Sequence, residues 1–492
     1  MATMTNDPIQ WKIDRLATGH EAPRLLDLFS GCGGFSLGFH AAGFDLLGAV
    51  EFDRDAAASH AANFHPESPA HALSRDITAT SPQQLALDLE LGDPARAVDV
   101  IIGGPPCQAF ARIGRAKLRS VRSDQEFQND PRAQLYLEYL RYVRHCQPLV
   151  ILMENVPDIL NYFGQNVAEQ IAHDLADQGY EVRYTLLNAV HYGVPQLRKR
   201  MFLLAYHHRL RVPVTFPAPT HAYELPDGYR DSASRIGMLR QNDLFQNSGH
   251  YVDPPSPPAG THLIPAVTAG EALGDLPAFR GSASKEQVDR HPYPYADRPP
   301  STYASGMRHW PGAAPGAGAV RHVTRYLKRD WRIFERMPEG AQYPRAHEVA
   351  VELFEAELTR LGQDAPLDGT EAYAELRKAF VPPYPVDSFP NKWRKLDRHQ
   401  PSHTLQAHLS KDSYSHIHYD GGQARTVTVR EAARLQSFPD SFVFCGSMGA
   451  AFRQIGNAVP PLLSRALAQH IQGTLQTAAQ RPAAAEVLET PV

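Results

Sequence analysis

The sequence predicts an α/β fold in which a central sheet alternates with helices and gathers its reactive side chains along one edge. Three observations predict it. Short apolar runs of strand length recur at Arg24–Phe29, Asp45–Val50, Val98–Ile102 and Leu149–Met153, with helix-length stretches between them. The first run feeds a glycine turn, Ser30–Gly34, and then an amphipathic helix that begins near Phe35. The later runs end beside residues with chemistry to offer, Glu51, Cys107 and Glu154, and open α/β sheets bind ligands outside the carboxyl ends of their strands.

Taken in order, strand, glycine turn and helix form the first unit of a nucleotide-binding βαβ fold, where glycines admit a ligand to the backbone and the helix N-terminus. The turn is SGCGG, which is not the GxGxxG spacing of dinucleotide enzymes. Glu51 follows the second strand near the interval at which such folds place a carboxylate on a ribose hydroxyl pair, and Phe52 offers a ring for stacking on an adenine. A helix, AAASHAANF, comes next, and Asp76 in SRDIT reads as the end of a weaker third strand. The fourth strand closes at Gly103-Gly104, and Pro105-Pro106 then fix the backbone and present Cys107 beyond the strand end. A lone cysteine in apolar surroundings is ordinarily a packing residue, but two prolines before it and Gln108 after it do not suit a core strand.

Between Ala109 and Arg122 the chain carries Arg112, Arg115, Lys117, Arg119 and Arg122 without an acidic residue. Such a segment suits either a basic lid over a polyanion or a solvated loop. Helix Pro131–Cys146 leads to a fifth strand that ends in Glu154-Asn155-Val156, so neighbouring strands set Cys107 and Glu154 at the same edge. A carboxyl beside a thiol can hold or protonate one side of a ring while sulfur attacks the other. A helix around Asn166–Gln178, a strand Glu181–Asn188 and a turn at Tyr192–Pro195 follow. Arg198 and Arg200 alternate along the next incipient strand and so share a face, which is either the site or the sheet rim.

From about His207 to Ala424 the texture changes: prolines cluster between Asp253 and Pro300 and the βα alternation stops, which predicts a second, smaller and irregular domain. Within it Arg321–Arg336 has six basic residues against two acidic ones, with Tyr326 and Trp331 interleaved, a composition that fits backbone phosphates or an amphipathic surface helix. Arg325 and Arg329 are its candidate nucleic-acid contacts. Ala346–Leu361, Thr426–Leu435 and Leu462–Thr477 read as helices. The domain plan is therefore an N-terminal extension at 1–23, a main α/β domain at 24–206 that resumes at 425–479, the irregular domain at 207–424, and a disordered tail at 480–492.

Over 492 residues the formal charge is only −4, which argues against a chain coated with nucleic-acid-binding charge but leaves room for a local basic groove. Four cysteines without a CxxC pair, and histidines without clustering, predict neither a disulfide framework nor a metal site. No run of 18 apolar residues occurs, and the N-terminus has no apolar stretch, so a cytoplasmic protein is expected.

Together these segments resemble the S-adenosylmethionine-dependent DNA (cytosine-5) methyltransferases of bacterial restriction-modification. DLFSGCGGFSLGF (Asp27–Phe39), Glu51, Asp76, GGPPCQAF (Gly103–Phe110), ENV (154–156), QLRKR (196–200), REAARLQSFPD (430–440) and QIGNAVP (454–460) stand in the family's order. The resemblance implies a Rossmann-like methyltransferase domain with a mixed sheet plus a target-recognition domain at 207–424. It implies Cys107 as nucleophile, with Glu154, Arg198 and Arg200 completing the catalytic set. It implies S-adenosylmethionine contacts at Phe29, Gly31, Gly33, Glu51, Phe52, Asp76, Ile77, Pro105 and Asn457. Gln108, Arg112 and Arg115 join Arg325 and Arg329 as DNA contacts. Ser30 and Ala111 depart from the family's usual alanine and serine at those places, and the second departure removes a possible hydroxyl contact to phosphate.

The expected partner is double-stranded DNA bound by a monomer whose target cytosine is flipped out of the stack, with a cognate restriction endonuclease acting on the same site and no metal. Two alternatives stand: an RNA cytosine-5 methyltransferase sharing this catalytic domain, against which the long recognition region and the missing CFT tripeptide argue, and a catalytically silent DNA-binding regulator.

Overall fold

Alternating aliphatic side chains divide the first strands between two faces, and helices cover both. The computed structural model describes residues 7–106, 131–161, 166–226, 249–280, 292–315, 318–325, 327–387 and 392–480. Six strands, β1 (Arg24–Leu28), β2 (Asp45–Val50), β3 (Val100–Gly103), β4 (Val150–Asn155), β5 (Tyr180–Asn188) and β6 (Lys199–His207), form one sheet in the order β2-β1-β3-β4-β6-β5. The first four run parallel, whereas β6 is antiparallel to both β4 and β5, giving a mixed sheet. The short connection between β5 and β6 accounts for that reversal, because a parallel return needs a long crossover.

On one face Leu26, Leu28, Ile101, Ile151 and Met153 pack against Tyr136, Tyr139 and Val143 of a helix at Pro131–Cys146 and against a helix at Val167–Ala176. On the other, Leu25, Val100, Ile102, Val150 and Leu152 meet a helix at Gly34–Ala41 and the last helix, Pro461–Ala479. Gly38 permits this second contact: a Cβ there would stand 2.4 Å from Arg465 N and Ser464 Oγ. Ser464 Oγ donates to Phe35 O at 2.6 Å, so the C-terminal segment is bound to the first βα unit.

The N-terminal segment forms a helix, Pro8–Ala17, that a search for apolar periodicity passes over, because much of its buried face is cationic. Lys12 Nζ donates to Cys146 O and Gln147 O, each at 2.8 Å, and Arg15 pairs with buried Asp99.

One sequence expectation is corrected and one open alternative is closed. Ser74–Ile77 is not a third strand; the segment makes one backbone bond to the sheet edge, Arg75 N to Glu51 O at 2.7 Å, before Asp76 turns the chain by accepting from Thr78 N. Of the two readings open for Arg321–Arg336, a single amphipathic helix does not hold, since among its described residues the helical part is Trp331–Arg336.

Core residues of the 207–424 stretch divide among several clusters. Leu210, Val212 and Phe216 belong to the second sheet core. A third cluster joins Ala272, Leu273 and Met307 to Val429, Leu435, Phe438 and Ile455. A fourth is drawn from Ile333, Phe334, Tyr343, Val349, Trp393 and Ile417, around a helix at Tyr343–Leu361.

Three buried histidines make this construction acid-sensitive. Burial holds His322, His416 and His418 down to about 4, so the unfolded chain takes up their protons first as pH falls. Their stabilising contribution is complete above the ordinary value of about 6.5 and is lost as pH falls toward 4, at up to about 1.4 kcal/mol per pH unit for each. Asp27, which burial pushes up to about 8, and Glu51, Asp99 and Glu138, which burial also raises, act in the opposite direction, but His60, His71, His207 and His403 are held down beside the three and the histidines outnumber the carboxyls. Urea unfolding across this range is expected to show a midpoint that drops steadily below pH 6.5; a flat midpoint would remove the histidines from the account.

Candidate active site

The turn after β1 has a backbone that few side chains tolerate. Phe29 and Gly31 take φ of +60° and +56°, and Gly33 takes +96° as it caps the Gly34–Ala41 helix. The turn is fastened to β2: Phe29 N donates to Val50 O at 2.8 Å, and Gly31 N donates to Glu51 Oε2 at 2.8 Å. Glu51 Oε1 accepts from Asp53 N at 2.7 Å. Two amides therefore aim this carboxyl, while burial pushes its pKa above the usual carboxylate range despite them.

Glu51 lies on the wall of a cleft of about 730 Å³ at the carboxyl ends of the strands. Phe29, Gly31, Phe52, Asp76, Ile77, Pro105, Glu154, Arg198, Arg200 and Asn457 line the same cleft. Gly33 does not. A Cβ there would lie 2.5 Å from Phe64 and 2.9 Å from His60, so this glycine serves helix packing behind the turn.

Glu154 and Arg200 face each other, with Arg200 Nε 2.9 Å from Glu154 Oε1. Glu154 Oε2 lies along Gly104, where a Cβ would approach it to 3.3 Å. Asn155 Nδ2 donates to Pro105 O at 2.8 Å and ties the β4 end to the two prolines that precede Cys107. Arg198 is fully buried and holds the floor: its guanidinium donates to Leu405 O at 2.9 Å and Gly456 O at 3.1 Å. Burial, then the neighbouring Arg200 charge, holds its pKa well below the ordinary arginine value.

Sequence reasoning missed a second support beneath the cleft. Gln196 Nε2 donates to Leu435 O and Gln436 Oε1, its Oε1 accepts from Leu405 N, and Gln436 Nε2 donates to Ala458 O. These two buried amides join segments separated by more than 200 positions, which no local pattern displays.

Cys107, Gln108, Arg112 and Arg115 lie outside the described residues. Arg325 and Arg329 are not in the cleft. The Arg325 guanidinium donates to Ser410 O, and Arg329 Nε pairs with Asp330 at 2.5 Å.

The cleft fits an adenosyl ligand. A carboxylate held by two amides keeps lone pairs for a ribose diol. No atom lies within 4 Å of where a Gly31 Cβ would stand, and Phe52 leaves an aromatic side chain 76% exposed beside the opening.

The family model for C-5 cytosine-specific DNA methylases matches residues 24–254 and 359–473. A protein of Oceanobacillus iheyensis named type II methyltransferase M.OihORF3336P is 40% identical over 94% of this chain and 97% of its own length. Type II methyltransferase M.AgeI of Thalassovita gelatinovora is 31% identical over 91% of this chain and 99% of its own. Among solved structures, a DNA modification methyltransferase encoded within an Escherichia coli prophage shares the fold at a TM-score of 0.57, with 23% identity over 92% of this chain and 99% of that one.

Proposed function

Because this chain belongs to the C-5 cytosine-specific DNA methylases, we propose that Cys107, Glu154, Arg198 and Arg200 carry its methyl transfer and that the Glu51 cleft holds the methyl donor. The chain is a DNA (cytosine-5-)-methyltransferase, and its family uses S-adenosylmethionine. The observation that carries the residue assignment is the Glu154–Arg200 pair, which faces the same cleft as Glu51 and stands beside the proline pair leading to Cys107.

Bound S-adenosylmethionine supplies an electrophilic methyl group. Glu51 would take the ribose hydroxyls, and Phe52 and Ile77 would flank the adenine. Carbon-5 of cytosine is too weak a nucleophile to accept a methyl directly, so the Cys107 thiolate adds to carbon-6 while Glu154 protonates or holds N3. Carbon-5 thereby becomes an enamine carbon, nucleophilic enough to take the methyl of a bound donor, whose sulfonium sulfur would leave as the neutral thioether. Loss of the carbon-5 proton to solvent water, expulsion of the Cys107 thiolate and return of any N3 proton to Glu154 then restore the ring. Arg200 fixes the Glu154 carboxyl, and Arg198 fixes the floor on which both stand. The base reaches this position by flipping out of the duplex, at a cost of a few kcal/mol.

Residues 207–424, with Arg325 and Arg329, are assigned to target recognition. Gln108, Arg112 and Arg115 are assigned to DNA on sequence grounds. The chain acts as a monomer in the bacterial cytoplasm at the nucleoid, beside an endonuclease of the same specificity.

Bisulfite sequencing of DNA from a methylation-free bacterial host expressing the chain tests the DNA assignment. One short motif carrying 5-methylcytosine is the expected result; unmodified DNA together with label transferred to tRNA from radioactive donor would overturn it. The cofactor assignment is tested separately by calorimetry. Glu51→Gln is expected to weaken S-adenosylmethionine about 10-fold to 100-fold, the scale of charge-assisted hydrogen bonds, and unchanged affinity would remove Glu51 from the ribose.

A further inference from the structure

Away from the cleft, at the outer edge of β5, Glu169, His173 and His250 bring one carboxylate oxygen and two imidazole nitrogens within 4.8 Å of one another. We infer that these three residues bind a divalent transition-metal ion, zinc foremost.

Glu169 and His173 stand one turn apart on the Val167–Ala176 helix and so share a face. His250 arrives from the segment that extends the sheet: Tyr184 N donates to His250 O and Val252 N to Tyr184 O, each at 3.0 Å. The site therefore spans a helix and a sheet edge, each with a fixed backbone.

The carboxylate is already oriented. Tyr184, fully buried, donates its hydroxyl to Glu169 Oε2 at 2.7 Å and accepts from Asn166 Nδ2 at 2.7 Å. Oε1 is left toward the imidazoles, 2.7 Å from His250 Nδ1 and 3.5 Å from His173 Nε2. An outer partner on a ligating carboxylate is how proteins set metal ligands in advance. Two imidazoles and a carboxylate with a free fourth position are a ligand set that zinc accepts. Tetrahedral bonds of about 2.0–2.1 Å put ligand atoms roughly 3.3 Å apart. The present spacings bracket that figure, and His173, 55% exposed, can move to meet it while leaving the fourth position to water.

A plain Glu169–His250 ion pair would explain the shortest contact but gives His173 no role. Full-length protein stripped with chelator and titrated with zinc chloride at pH 7.5 separates the two readings. The expected result is one calorimetric site of micromolar or tighter affinity and a zinc-dependent rise in the melting midpoint. His173→Ala and His250→Ala each weaken that site by at least about 100-fold, and Tyr184→Phe by about 10-fold to 100-fold. Because His173 is exposed, its variant should melt like wild type without zinc. Absence of saturable zinc binding by wild type, or unchanged affinity in His173→Ala, overturns the inference.

Discussion

Cys107→Ala is expected to abolish methyl transfer, with a loss of about 10⁴-fold or more, the scale on which removing a covalent nucleophile acts. No other thiol can substitute. Cys32 is buried and its pKa is raised far above the usual thiol range, and burial pushes Cys146 up to about 12. Cys445 is half-buried and is not among the residues lining the cleft. Without sulfur at carbon-6 the cytosine ring has no enamine form, and neither the donor nor Glu154 supplies one. Glu154→Gln is expected to cost less, about 10²-fold to 10⁴-fold, because an amide still hydrogen-bonds the base edge but cannot transfer a proton. The measurement is transfer of radioactive methyl to DNA bearing the recognised motif, with binding of donor and DNA followed in parallel. Retained binding with lost turnover in both variants is the expected pattern. Cys107→Ala turnover within ten-fold of wild type would refute the covalent route.

The strand ends were legible in the sequence because a buried strand closed by a turn leaves a local signature. Glu51, Glu154 and the Pro105-Pro106 pair follow such runs, and the structure gathers them at one cleft. Ser74–Ile77 misled because a short apolar residue beside charged ones resembles an edge strand, whereas pairing requires more than the single bond to Glu51 O. Arg198 illustrates a different limit. Its spacing from Arg200 showed the shared face, but not that the guanidinium serves two backbone carbonyls more than 200 positions away. Gln196, Gln436 and the Glu169, His173, His250 cluster share that limit, since their partners are set by tertiary packing and not by periodicity.

Arg434→Leu is expected to lower folding stability by about 3–5 kcal/mol, the cost of leaving a buried charge without its partner. Arg434 is wholly buried on the helix Val429–Leu435 and serves two carboxylates. Its Nε and Nη2 donate to the two oxygens of Asp440, each at 2.6 Å, and its Nη1 and Nη2 donate to Asp275 at 3.0 and 3.2 Å. Burial alone would raise the Asp440 pKa, yet the Arg434 bonds hold it below the usual carboxylate value. Removing the guanidinium therefore strands Asp440 with a Tyr295 hydroxyl at 2.7 Å, whereas Asp275 keeps Arg308 at 2.6 Å. The ligature joins the helix to residues 272–308 in the third core, so the loss should appear as a lowered urea midpoint for the cooperative transition. Arg434→Lys should fall between, because an ammonium keeps the charge without the two-pronged geometry. The double variant Arg434→Met/Asp440→Leu separates charge from packing: it removes one carboxylate with its partner and should recover much of the single-variant loss. A double variant no more stable than Arg434→Leu would show that the cavity, not the stranded charge, sets the cost.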